Sequence, residues 1–204
     1  MATPRFAGSV EQQRVWRLVE SFAQAQGLEF EPGRRDDEMV VVLPGEQKLR
    51  TVCSVTVGTA DLSAVAFVIR HPDENHTEFF RALLRRNLRR RPVGYALDAL
   101  DDVYVVGRLP LAGVDEDVLD RFFGAVLEAA DGAFNDLLLL GFRTSMQREW
   151  AWRIARGESL HNLEAFRDDL AGSEHDPRFA ITTTPGLDLH QAGRPSPEGS
   201  AGPN

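Results

Sequence analysis

The densest group of side chains able to do chemistry is Asp73-Glu74-Asn75-His76. An aspartate with a histidine three residues on offers two metal ligands, but two ligands do not make a site, and no second His, Cys, Asp or Glu group has a spacing that completes one. Acidic residues and an asparagine beside a helix start are accounted for by capping and by the helix dipole, so Asn75 is expected to cap the helix that follows. Asp98, Asp101 and Asp102 offer a carboxylate pair, yet a solvated hairpin loop uses such residues for turn chemistry. The chain has no Gly-rich phosphate loop with a lysine, no Gly-x-Ser-x-Gly elbow and no His-Glu-x-x-His. No catalytic residue, metal site or cofactor is therefore expected. Sequence distance leaves one polar cleft open, built from Asp73, His76, Arg108 and Glu149 brought together by the fold, as a small-molecule sensor or an enzyme would need.

The arginine run from Arg85 to Arg91 sets a local positive field in an otherwise acidic protein. Cations in the last turns of a helix also complement its dipole and can simply face water. Arg85, Arg86 and Arg89 are the candidate partner-binding residues of this face. Arg148-Glu-Trp-Ala-Trp-Arg153 places two tryptophans on different helical faces, because residues two apart cannot share one side. Trp150 aligns with Met146 and Ile154 and reads as core. Trp152 is either packed by the following helix or is an interface anchor, and it joins the candidate partner-binding set.

These residues need a scaffold, and the patterning supplies one. Ser9-Val-Glu-Gln12 fits a capping box, followed by Val15, Leu18, Val19 and Phe22 at helical spacing up to Gly27. Leu28 to Phe30, Met39 to Leu43, Leu49 to Val57 and Leu62 to Ile69 read as strands of an antiparallel meander, with Gly58-Thr-Ala-Asp61 as a hairpin turn. After His71-Pro72-Asp73, a helix is expected to carry Phe79, Phe80, Leu83, Leu84 and Leu88 toward the core. Tyr95 to Leu97 and Val103 to Leu109 make a second hairpin. From Asp115 a long helix follows, which Gly132 interrupts and Gly141 stops, and further helices carry Met146, Trp150 and Ile154, then Leu160, Leu163, Phe166 and Leu170. Helix and strand in blocks favour an α+β sandwich over a doubly wound parallel sheet.

At 204 residues with 43% hydrophobic content, the chain can bury a core without staples. The organisation expected is a flexible N-terminus over residues 1–8, one α+β domain over 9–171, and a polar, disordered tail over 172–204. Cys53 is the single cysteine and lies in an apolar strand, which points to a buried core thiol and a reducing, cytoplasmic compartment. No segment approaches the roughly 18 apolar residues of a membrane span. A net charge of -8 opposes general attraction to phosphate backbones, so neither membrane nor nucleic acid is the expected partner.

Several blocks together are familiar: Leu43-Pro-Gly-Glu-Gln-Lys-Leu-Arg-Thr-Val-Cys-Ser54, Arg70-His-Pro-Asp-Glu-Asn-His76, Asp102-Val-Tyr-Val-Val-Gly-Arg108, Phe134-Asn135 and Arg148-Glu-Trp-Ala-Trp-Arg153. In this order, over residues 10 to 170, the chain resembles the actinobacterial branch of the YbjN-domain family. The resemblance implies a fold like the type III secretion chaperones, an antiparallel sheet with flanking helices, here with additional C-terminal helices. It also implies a tendency to form a homodimer and a regulatory or chaperone-like role without a catalytic residue set. The function expected is a non-catalytic adaptor that binds a protein partner or peptide segment.

Overall fold

The computed structural model of the protein describes residues 8–179. They fall into two compact units, one ending at Met146 and one starting at Gln147. The N-terminal residues 1–7 and the tail from residue 180 lie outside the described residues.

In the first unit, helix α1 (Val10–Ala25) starts with the capping box that its sequence spells. Ser9 Oγ accepts the Gln12 N–H and Gln12 Oε1 accepts the Ser9 N–H. Strands β1 (Glu29–Pro32), β2 (Glu38–Pro44), β3 (Arg50–Val57) and β4 (Asp61–Ile69) follow, then helix α2 (His76–Asn87) and strands β5 (Val93–Leu97) and β6 (Val103–Pro110). The six strands form one sheet in the order β1-β2-β3-β4-β6-β5, antiparallel at every pairing. Helix α3 (Glu116–Ala130) starts from an Asp115 cap that accepts the Val118 N–H at 2.8 Å. This is an α+β fold with an antiparallel sheet and flanking helices.

Alternation sends Met39, Val41, Leu43, Cys53, Val55, Val57, Leu62, Ala64 and Ala66 to one face of the sheet, where all are buried. Helices α1 and α3 close over that face, α1 against β3 and α3 against β4, β5 and β6. Their contact is aromatic, with Phe22 stacked on Phe123 at 5.4 Å. Cys53 is fully buried in this layer, and burial pushes its thiol up to about 12, which makes it an inert core group.

The long helix expected from Asp115 is two helices. Gly132 does separate them, but α4 (Phe134–Arg156) runs through Gly141 without stopping. At the break, the buried Asp131 carboxylate accepts the backbone N–H groups of Glu46, Gln47 and Lys48 at 3.2, 2.9 and 2.7 Å, which fixes the β2–β3 turn. Successive backbone N–H groups gathered on one anion form a nest, and this one holds a side chain of the same chain.

Gly141 sits inside α4 because the loop before α2 presses on it. A Cβ there would lie 2.7 Å from Pro72 Cβ and 2.9 Å from the Phe79 ring. The Gly141 carbonyl accepts the Asp73 and Glu74 N–H groups at 2.9 and 3.1 Å. Glu74 takes the Thr144 N–H and hydroxyl at 2.7 Å each, while Asn75 Nδ2 donates to the Leu140 carbonyl at 3.0 Å. Thr144 N–H and Leu140 C=O are the groups an unbroken helix pairs with each other, so Glu74 and Asn75 occupy both ends of one rung. Asn75 is therefore not the side-chain cap expected of it. It stands in the left-handed region at φ 55°, makes no cap hydrogen bond, and its amide serves α4 instead. Asp73 completes the loop with Arg70 at 2.6 and 2.9 Å and Ser145 at 2.8 Å, and the Arg70 guanidinium lies 4.4 Å from the Phe142 ring centroid.

The second unit begins within α4. Its Trp150 is buried and donates Nε1–H to Glu174 at 2.9 Å, while the expected core residue Ile154 is 42% exposed. A 3-10 helix (His161–Phe166) and a one-turn helix α5 (Arg167–Leu170) bury Leu163, Phe166 and Leu170. The first residues of the polar tail form short 3-10 turns at Ser173–His175 and Pro177–Phe179.

The contact at Gly141 has a measurable cost. Gly141→Val forces Pro72 and Phe79 apart and is expected to lower the unfolding free energy by about 2–3 kcal/mol in urea titration; an unchanged midpoint would refute the contact. Asp73 gives a pH signature. Hydrogen bonds from Arg70 and then Ser145 hold its carboxyl down to about 2 from an ordinary 3.8. Because the folded value is depressed, its contribution is complete above about pH 4 and lost as pH falls toward about 2. Asp73→Asn should be less stable than the parent near neutral pH, and the gap should close on acidification through that window.

Candidate protein-docking surface

The sheet face opposite α1 and α3 is where the alternation departs from the ordinary pattern. An antiparallel sheet with one solvated face places polar residues there. Here the register builds apolar rows across the strands. Val42 pairs with Val52, the Cys53–Ala66 pairing sets Val52 beside Phe67, Phe67 pairs with Tyr104, and Tyr104 with Ala96. The next row runs Val40, Ser54, Val65, Val106 and Gly94. Val52 is 53% exposed, Val65 41% and Phe67 40%. Phe67 and Tyr104 meet edge to face at 5.5 Å, and Lys48 reaches the same ring at 5.1 Å while donating to the Phe67 carbonyl. Burial lowers the pKa of that lysine, against the pull of Asp131.

Toward one end the rows turn polar. Glu38, Thr56, Ser63 and Arg108 follow one another across β2, β3, β4 and β6. Arg108 is exposed and has no ion pair among the described residues; with Ser63, Val65, Pro92 and Val106 it rims a shallow depression of about 420 Å3. This is one member of the expected polar cleft. Asp73 lies past the far end of the same strands, where Ile69 pairs with Val103. Arg108 is five residues along β6 from Val103, a separation of about 17 Å at the strand rise. Asp73 is held by Arg70 and Ser145, and His76 is the exposed first residue of α2. Glu149 belongs to the second unit, paired with Arg153 at 2.8 Å. No hydrogen bond or ion pair joins any two of these four among the described residues. Asp98 bonds the Leu100 and Asp102 N–H groups, as a turn residue does.

Helix α2 and the turn after it divide their arginines. Arg86 pairs with Asp136 at 2.7 Å, tying α2 to α4, and Arg90, past the end of α2, pairs with Glu128 of α3 at 3.5 Å. Arg81 pairs with Glu78 on its own helix. Arg85, Arg89 and Arg91 are exposed and have no ion pair among the described residues. The apolar side of α2 also differs from expectation. Phe79 and Leu83 are buried, but Leu84 is 67% and Leu88 85% exposed. Phe79, Phe80, Leu83 and Leu84 fit one wide amphipathic stripe by spacing, and its Leu84 edge, continued by Leu88 at the helix end, turns to solvent. Trp152 is half-buried in the second unit with the Arg156 guanidinium 4.8 Å from its ring centroid.

Asn87, at the end of α2, was not singled out by its sequence context. Its side-chain amide accepts the Tyr95 N–H at 2.8 Å and donates to the Tyr95 carbonyl at 3.2 Å. Those groups face away from β6, so Asn87 satisfies the outer edge of β5 as a further strand would. The opposite edge, β1, is four residues long, carries Glu29 and Glu31, and ends in Pro32. Among the described residues no group of three or more His, Cys, Asp or Glu is placed to hold a metal, and no helix is long and apolar enough to cross a membrane.

Residues 17–139 match the family model YbjN, described as "Putative bacterial sensory transduction regulator". An uncharacterised protein of Mycobacterium leprae is 54% identical over 147 residues, which cover 72% of this chain and 79% of that protein. Among solved structures, YbjN from E. coli is 16% identical, covering 56% of this chain and 87% of its own at a TM-score of 0.43. The Yersinia pestis type III secretion chaperone SycH, solved in complex with a fragment of YscM2, is 19% identical, covering 56% and 94% at a TM-score of 0.42. With the family model spanning more than half its length, the chain belongs to the YbjN family.

Proposed function

We propose that this protein is a non-catalytic regulatory adaptor or chaperone-like binder, cytoplasmic and homodimeric, that holds a protein partner or peptide segment. The observation that carries the reading is the outer sheet face. Val52, Val65 and Phe67 stand exposed in rows with Val42, Val106 and Tyr104, where a merely solvated face would be polar. An apolar strip flanked by Arg108 suits a segment with apolar side chains and an acidic group. Such a segment lies across the strands, because Asn87 blocks addition at the β5 edge and β1 is short and acidic. The family description as a transduction regulator supports a binding role.

Binding to a reduced, permanently unfolded model client, followed by fluorescence anisotropy, tests this. Val65→Ser with Phe67→Ser should keep the parent's melting temperature within a few degrees and weaken client binding by about tenfold, since each replaced side chain buries apolar area only in the complex. Equal affinity of parent and variant would remove the sheet face from the proposal. Light scattering should give twice the 22.7 kDa chain mass; a monomer at all concentrations would remove the homodimer.

A further inference from the structure

The outward ridge of α2 is a second surface that neither the fold nor the sheet face accounts for. Leu84 and Leu88, one turn apart, are among the most exposed large apolar side chains among the described residues, at 67% and 85%. Arg85 stands beside them on the helix, and Arg89 and Arg91 follow in the turn after it, all three exposed and without an ion pair among the described residues. The neighbouring arginines show that this is selective. Arg86 and Arg90 are held by Asp136 and Glu128, and Arg81 by Glu78, so the unpaired cations coincide with the exposed leucines.

We propose that this ridge docks an acidic amphipathic helix of a protein partner. The inference rests on reading the chain as a protein binder but uses a surface separate from the sheet face. The leucines call for an apolar stripe at i, i+3 or i+4, and the unpaired guanidiniums call for Asp or Glu beside it. A strand is disfavoured at this place because Asn87, on the same helix, already fills the Tyr95 edge of β5. Charge complementarity decides between an acidic partner and a second copy. On α2 Glu78 is taken by Arg81, and Arg85 with Arg89 and Arg91 just past the helix end are left unpaired among the described residues, so two copies face to face bring together like charges. Phosphate backbones and anionic membranes match the arginines but meet a chain of net charge -8.

The test is a display selection on the full-length protein with a helical peptide library randomised on one face, counter-selected against Leu84→Ser with Leu88→Ser. Both leucines are exposed, so this variant should melt with the parent. The expected winners carry an apolar stripe flanked by Asp or Glu. A labelled winner should bind the parent at least about tenfold more tightly than the leucine variant, in proportion to the apolar area each leucine loses. Arg85→Glu with Arg89→Glu should shift the enriched flanking residues to Lys or Arg. No enrichment over the leucine variant, or winners without charge preference, overturns the proposal. So does a dimer by light scattering that the leucine variant dissolves, which would assign the ridge to a second copy. Sedimentation with phosphatidylglycerol vesicles that the leucine variant abolishes would assign it to a membrane surface and likewise overturn it. Because Val65→Ser with Phe67→Ser leaves the ridge intact, loss of client binding there and loss of peptide binding here are separate results.

Discussion

Helices α1 and α3 cover one face of a six-stranded sheet whose opposite face also carries apolar rows through its middle, and the rest of the structure answers that constraint. Where alternation is clean, a one-residue slip turns core residues to solvent and is forbidden. Here a slip exchanges Val40 and Val42 for Met39, Val41 and Leu43, so pattern alone specifies pairing weakly. Polar anchors at the turns do the specifying. Asp131 gathers three N–H groups of the β2–β3 turn, and Gln12 Nε2 donates to the Val57 and Gly58 carbonyls at the β3–β4 turn at 3.3 and 3.0 Å. Asn87 holds β5 at Tyr95.

The same logic explains where the chemically capable residues went. Asp73, Glu74 and Asn75 form the densest polar cluster in the sequence, and their side chains bind α4 around Gly141 and its next turn. An acidic side chain that accepts a backbone N–H satisfies a donor otherwise left over, a gain of about 1.5–3 kcal/mol for a charged acceptor. Arg86 of α2 and Arg90 just after it are tied to neighbouring helices in the same manner, and the arginines left over face water beside two leucines.

Local signals were legible in the sequence and distant ones were not. The capping box at Ser9, the Asp115 cap, the strand runs and the buried Cys53 depend on neighbours a few residues away, and the structure has them as read. Asn75 looked like a cap because its true partner, Leu140, is 65 residues distant. Gly141 looked like a helix stop because the ring and proline that require a glycine come from residues 72 and 79. Leu84 and Leu88 read as core residues by spacing alone, because helical spacing reports a stripe without reporting what lies opposite it. The apolar rows of the outer sheet face were hidden for another reason: continuous β-branched runs read as strands buried on both faces, and the number of covering helices decides otherwise.

The central claim is that the outer sheet face is a docking surface. Site-specific photo-crosslinking in the native host tests it most directly, with a photoreactive residue at position 67 and, as a control, at exposed Asp117 on α3. The account predicts discrete protein adducts from position 67 that are absent from position 117. Equal background at both positions would contradict it.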